Sequence, residues 1–134
     1  MKEKKEIELV ISIDPLPKQR PRFGNGRTYT PYKTKKYEES IRVSCKSQYC
    51  NAPLSGPLTA EVYFLFKRPP SIRRANHDVR PDLDNLLKAL FDGMNGILFK
   101  DDAQIVRIMA YKKYSDTDGR ICVRLSQFDE SDTL

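Results

Sequence analysis

The chain lacks tryptophan altogether and holds a single histidine, His77, and three cysteines in 134 residues. Cys45, Cys50 and Cys122 are an odd number with no Cys-x-x-Cys pair, which argues against a disulfide framework and against a zinc site; free thiols in a reducing compartment are expected. Long apolar runs are also missing. None approaches the ~20 residues that cross a bilayer. The opening Met-Lys-Glu-Lys-Lys lacks the apolar core of a signal peptide. The expectation is a cytoplasmic protein with no membrane segment. Internal repeats and low-complexity stretches are absent too, and a hydrophobic fraction of 39% suffices for one globular core, residues 1–134.

Acids are missing from one place in particular. Residues 18–36, KQRPRFGNGRTYTPYKTKK, carry seven basic residues and no acid. The net charge of +6 resides in the first third: residues 1–46 hold 12 Lys and Arg against 6 acids, and the remainder holds 12 against 12. A charge run is often only a solvated face. Here Phe23, Tyr29 and Tyr32 interleave with the cations, as on surfaces that meet phosphates with charge and bases with rings. A basic arm over residues 15–36 is therefore expected to bind nucleic acid through Lys18, Arg20, Arg22, Phe23, Arg27, Lys33, Lys35 and Lys36, joined by Arg73, Arg74 and Arg80 of a later loop.

Periodicity predicts the elements. Residues 6–14 alternate Ile7, Leu9, Ile11 and Ile13 and read as a strand. Prolines 15, 17 and 21 force a loop, with a mobile or tightly turned tip at Gly24-Asn25-Gly26. Thr30-Pro31 reads as an N-cap followed by proline at the first helical position, and Tyr37, Ile41, Cys45 and Tyr49 give a helix over 31–49. In residues 58–67 Val62, Phe64 and Phe66 share one face and Tyr63 and Leu65 the other. Apolar on both faces, this strand is expected at the centre of a sheet. A helix over 83–95 carries Leu83, Leu87, Leu90 and Met94. Residues 97–99 read as a short strand and 104–115 as a long one. Asp118-Gly119 reads as a hairpin turn into a last strand, 120–128, and the tail 129–134 should fray. The order β-α-β-α-β-β gives an α+β fold, a small single domain with a mixed sheet and two main helices.

Acids reappear around the second helix: Asp82 and Asp84 before it, Asp101 and Asp102 after it. One aspartate suffices to cap a helix, so the others call for another account. Pro81 biases Arg80 toward extended structure. Asp82 and Asp84, two apart on extended chain, share a face, and Lys88 lies one turn beyond Asp84. Asp92, a further turn on and about 12 Å from Asp84, is left out of the site. Residues 96–101 span at most about 20 Å when extended, enough to return along a helix of about 18 Å and bring Asp101 and Asp102 level with Asp82 and Asp84. As neighbours on a strand, those two would diverge, and one would join the site. Clustered carboxylates suit a hard divalent cation, Mg2+ or Mn2+, and Lys88 beside it suits a scissile phosphate. Surface acids and caps remain the bland alternative.

The stretch RPDLDNLLKALFDGMNGILFKDDAQI resembles the RusA family of Holliday-junction resolvases, in Pro81, Asp82, Asp84, Asn85, Lys88, Asp101 and Asp102. The upstream PKQRPRFGNGRTYTPYKTKKYE is similar to the basic N-terminal part of one bacterial, prophage-type branch. The resemblance implies a RusA-like fold and a homodimeric endodeoxyribonuclease that resolves four-way DNA junctions by paired symmetric nicks, in recombination and repair, with Mg2+ or Mn2+. It implies Asp82, Asp84 and Asp102 as catalytic metal ligands and Lys88 as the essential cation. Asn85, Asp101 and His77 are possible supporting groups around them. Two rivals remain: a Mg2+-dependent nucleotide phosphohydrolase, and a non-catalytic DNA-binding module whose acids only cap and pair.

Overall fold

The computed structural model describes residues 4–20, 22–29 and 31–132. Four strands form the main sheet: β1 (Glu6–Ile11), β4 (Leu58–Lys67), β5 (Ile105–Ser115) and β6 (Arg120–Gln127), in the order β1-β6-β4-β5. Two helices, α1 (Tyr32–Gln48) and α2 (Leu83–Met94), pack against each other and over the apolar face of the sheet. The fold is the expected small α+β domain with a mixed sheet.

β4 takes the centre because both of its faces are apolar. It pairs in parallel with β5 and antiparallel with β6. Its Leu58, Ala60, Val62 and Phe64 are fully buried, as are Ile41 and Cys45 of α1 and Leu86, Leu90 and Met94 of α2. Each large side chain so buried contributes about 1.5–3 kcal/mol. Burial pushes the Cys45 thiol up to about 11, so it is a core group. The two helices close tightly at Gly93, where a Cβ would stand 2.8 Å from Ile41 Cβ. The free edge of β1 is covered by one side chain: Gln48 Nε2 donates to Val10 O at 2.8 Å and its Oε1 accepts from Val10 N at 3.2 Å.

Five local expectations are corrected. The arm is a β-hairpin, β2 (Arg22–Gly24) with β3 (Arg27–Tyr29), closed by Asn25 and Gly26 at φ 52° and 77°. Positive φ at both turn residues matches the right-handed twist of a two-residue hairpin. β5 and β6 follow each other in sequence but do not pair, because β4 lies between them. The Asp118-Gly119 turn instead crosses the end of β4, and a Cβ on Gly119 would collide with Asp14 and stand 3.2 Å from Leu65 O. Residues 97–99 are a compact turn with isolated bridges from Phe99 to Leu54 and Asn95. Residues 130–132 of the tail fold into a 3-10 turn, with Ser131 N bonded to Asp129 Oδ1 at 3.0 Å. At the start of α1 the N-cap position falls on Pro31; the expected cap, Thr30, lies outside the described residues. No helix among the described residues is long and apolar enough to cross a membrane.

A candidate active site along helix α2

Two acid pairs stand at the two ends of α2. Asp82 is the N-cap residue, at φ −75° and ψ 150°, yet its side chain makes no capping hydrogen bond. Its side chain is exposed. Asp84, in the first turn, accepts from Asn85 N at 2.9 Å and is also exposed. The loop that delivers Asp82 lies along the free edge of β5. Tyr114 N donates to Ala75 O at 2.9 Å and His77 N to Lys112 O at 3.1 Å. The Lys112 ammonium donates to Val79 O at 2.6 Å and to Pro81 O at 2.8 Å.

At the other end the chain turns at Gly96, φ 83°, and does not run back extended. Gly96 N bonds to Phe99 O at 2.8 Å and Ile97 N to Met94 O at 3.1 Å. Leu98 and Phe99 are fully buried, and their burial draws the return segment into the core before it has climbed the helix. Asp101 and Asp102 therefore do not come level with Asp82 and Asp84. They open a 3-10 turn (Asp102–Gln104), not a strand. Asp101 caps that turn: it accepts from Ala103 N at 3.1 Å, and Gln104 Oε1 accepts from Asp101 N at 3.1 Å. Asp102 N donates to Asn95 Oδ1 at 3.0 Å, beside the C-terminus of α2. Asp102 comes to rest beside the C-terminal half of α2, near Asn95, Asp92 and Lys88. Among the described residues no group of three or more His, Cys, Asp or Glu side chains comes close enough to hold a metal ion.

The acids at this end divide electrostatically. The Ala103 N–H and the Asp102 carboxyl hold Asp101 below the usual carboxylate range. Burial pushes Asp102 up, reinforced by its hydrogen bond with Asp101 and by repulsion from Asp101 and Asp92, against the attraction of Lys88. Lys88 occupies the middle of the helix, 3.3 Å from Asp92 Oδ1. Asp92, left out on sequence grounds, thus belongs to the charge field of Asp102 and Lys88. Its second oxygen meets Lys18 Nζ at 3.1 Å, and Lys18 also meets Glu38 Oε2 at 2.7 Å. The backbone N of Lys18 donates to Asn85 O at 3.0 Å. Lys18, expected as a phosphate contact, is an internal anchor that ties the arm to α2. Burial alone would lower its pKa, but Glu38 and Asp92 together hold it raised.

The other expected contacts scatter around this helix. Arg20, Phe23, Arg27, Lys33, Lys35 and Lys36 are exposed on the arm and the start of α1, and Arg73, Arg74 and Arg80 on the loop before α2; Arg22 lies on β2. Arg74 pairs with Asp78 at 2.7 Å and lies over the Tyr114 ring. His77, expected as a possible supporting group, packs against Phe66 of β4. It is buried, its ring stacked on Phe66 at 3.8 Å, and burial together with Lys112 lowers its pKa. Three contributors escaped the sequence reading: Lys112, Asp92 and Gln104. Lys112 left a faint signal, a cation on the same face of β5 as Ile108 and Ala110, where alternation calls for an apolar residue.

Residues 12–126 match the family described as Endodeoxyribonuclease RusA. The chain belongs to the RusA endodeoxyribonuclease family. It is also 24% identical over 126 residues to the uncharacterized protein YqaN of Bacillus subtilis (strain 168), covering 82% of this chain and 89% of that protein. The RusA match extends from the end of β1 through nearly all of β6, so the arm, both acid pairs and Lys88 lie within it. RusA membership assigns the chain to enzymes that hydrolyse phosphodiester bonds in DNA.

Proposed function

We propose that this RusA protein is a homodimeric, divalent-metal-dependent nuclease that cuts four-way DNA junctions by two symmetric nicks, and that each of its sites is shared between two subunits. The observation that carries this reading is the separation of the acid pairs. Asp82 stands level with Lys112 high on β5, and Asp102 lies just before Ile105 at its start. Ile105 and Lys112 stand seven strand steps, about 23 Å, apart. One chain does not gather the three carboxylates. A two-fold axis crossing α2 near Lys88 would set two copies of the helix antiparallel and bring Asp102 of the partner subunit toward Asp82 and Asp84.

The surface beside α2 suits such a partner. β5 is an edge strand, and its Val106 and Ile108 are 57% and 45% exposed, with Val79 of the adjoining loop 48% exposed. A two-fold interface is self-complementary, and an apolar strip on the part of that edge which the loop of residues 75–77 does not reach calls for cover.

The donor set fits a hard cation, since all three groups offer carboxylate oxygens and Asp82 is not consumed as a cap. Mg2+ or Mn2+ held there would supply an activated water and neutralise charge on the phosphate oxygens. Lys88, exposed between the acid pairs, binds and orients the scissile phosphate. The exposed cations of the arm and of residues 73–80 track the backbone, so that junctions are selected by shape and not by base sequence.

Complementation between subunits tests this. Asp82→Asn and Asp102→Asn are each expected to be inactive alone. In a mixed dimer of the two, one shared site is wild type throughout and the other carries both changes, so mixing should restore nicking of one strand. A mixture as inactive as its components would mean that each site is built from one chain.

A further inference from the structure

We infer that Lys112 is a positioning residue for Asp82, an inference that rests on the nuclease reading. Asp82 sits at the point where a loop of 15 residues, 68–82, enters α2. A carboxylate there is useful only if the peptide before it is fixed. The helix holds only the peptide that follows, through Leu86 N on Asp82 O at 3.2 Å, and the Asp82 side chain makes no bond to the first turn. The fixing comes from β5. Lys112 projects on the helix side of the sheet, paired in register with the buried Phe64. From there its ammonium reaches the carbonyl of Pro81, the residue directly before Asp82, and that of Val79 two residues earlier. The Lys112 carbonyl receives His77 N, so one residue holds the loop at three points.

Charge-assisted bonds to main-chain carbonyls are short and roughly twice as strong as neutral ones. With two of its three N–H groups spent on the protein, the ammonium serves poorly as a backbone-tracking cation. Its role is to set the last peptide plane before the acid, and with it the direction of the Asp82 carboxylate. Groups behind a ligand commonly change metal affinity by about 10–100-fold. That is the scale expected here.

The test uses the full chain as wild type, Lys112→Met, Lys112→Arg and Asp82→Asn. Mn2+ binding is measured without DNA, by calorimetry or electron paramagnetic resonance. Junction binding in metal-free buffer and cleavage across a Mn2+ titration complete the set. Lys112→Met keeps the stem and loses the donors. It should raise the half-saturating Mn2+ concentration roughly tenfold or more in both binding and cleavage. Junction affinity should be unchanged and cleavage largely restored at saturating Mn2+. Lys112→Arg, with a bulkier head, should fall between it and wild type, and Asp82→Asn should stay inactive at any Mn2+ concentration. A Lys112→Met protein with the wild-type Mn2+ requirement overturns the inference, as does one whose only defect is junction binding. If Lys112→Met does not fold, Lys112→Arg decides on the same two criteria. A wild-type protein that neither binds Mn2+ nor cuts junctions sinks the nuclease reading itself, a separate outcome.

Discussion

The two ends of α2 carry the same pair of residues in near-identical settings, yet the pairs do different things. Asp82 and Asp101 each hold an N-cap position with extended backbone. Asp101 uses its carboxylate as the cap, in a reciprocal box with Gln104. Asp82 does not, and its carboxylate stays free. The difference lies in what holds the chain. At the C-terminal end Gln104 Nε2 donates to Leu54 O and Gly56 O, each at 3.0 Å, and Gln104 Oε1 accepts from Lys100 and Asp101. That end is held by a network in which Asp101 is a member. At the N-terminal end Lys112 holds the loop by its carbonyls and leaves the acid outside the network. One type of residue in one type of position is thus structural at one end and available at the other.

The largest test of this contrast is removal of charge at the available acids. Asp82→Asn, Asp84→Asn and Asp102→Asn should each lower junction cleavage at least about a thousandfold, or ~4 kcal/mol of transition-state stabilisation. Junction affinity should hold or improve, because removing negative charge does not weaken attraction to phosphate. A variant that cuts at the wild-type rate would remove that acid from the site.

Asp101→Ala sharpens the comparison. It should retain substantial cleavage and lower the thermal midpoint through loss of the cap. A fully inactive Asp101→Ala with an unchanged midpoint would show that both acids of the pair serve catalysis.

A smaller effect is expected on the arm. Arg20→Ala, Arg22→Ala and Arg27→Ala combined should flatten the salt dependence of junction binding by about 0.9 in log K against log salt for each phosphate no longer neutralised. Lys18→Met should leave that slope alone and lower stability instead, since Lys18 is paired with Glu38 and Asp92. A flattened slope in Lys18→Met would return it to the DNA surface.

The smallest effect concerns pH. The Tyr37 hydroxyl accepts from Leu16 N at 3.1 Å where the arm leaves the sheet. Burial pushes it from 10.0 up to about 12. A pKa raised by folding gives stability that is complete below pH 10 and is lost as pH rises through about 12. Tyr37→Phe should flatten the alkaline fall in stability over that window. An identical fall in the variant would assign the alkaline transition to other groups.

The amino-acid sequence by itself determined the α+β class, the central place of β4, both helices and the identity of the acids. These are readable because periodicity and turn chemistry act within a few residues: two apolar faces on β4 call for neighbours on both sides, and the Leu83-Leu87-Leu90-Met94 stripe calls for a packed helix. Only the tertiary structure decided which strands pair, where the second acid pair comes to rest, and what holds the first. Asp118-Gly119 announces a turn but not that β4 will lie between the strands it joins. Residues 96–101 are long enough to climb the helix, but burial of Leu98 and Phe99 stops them short. Lys112 is 30 residues from Asp82, and no local rule connects a lysine on one strand to a carbonyl before a distant helix. Such contacts arise only when the sheet sets the distances.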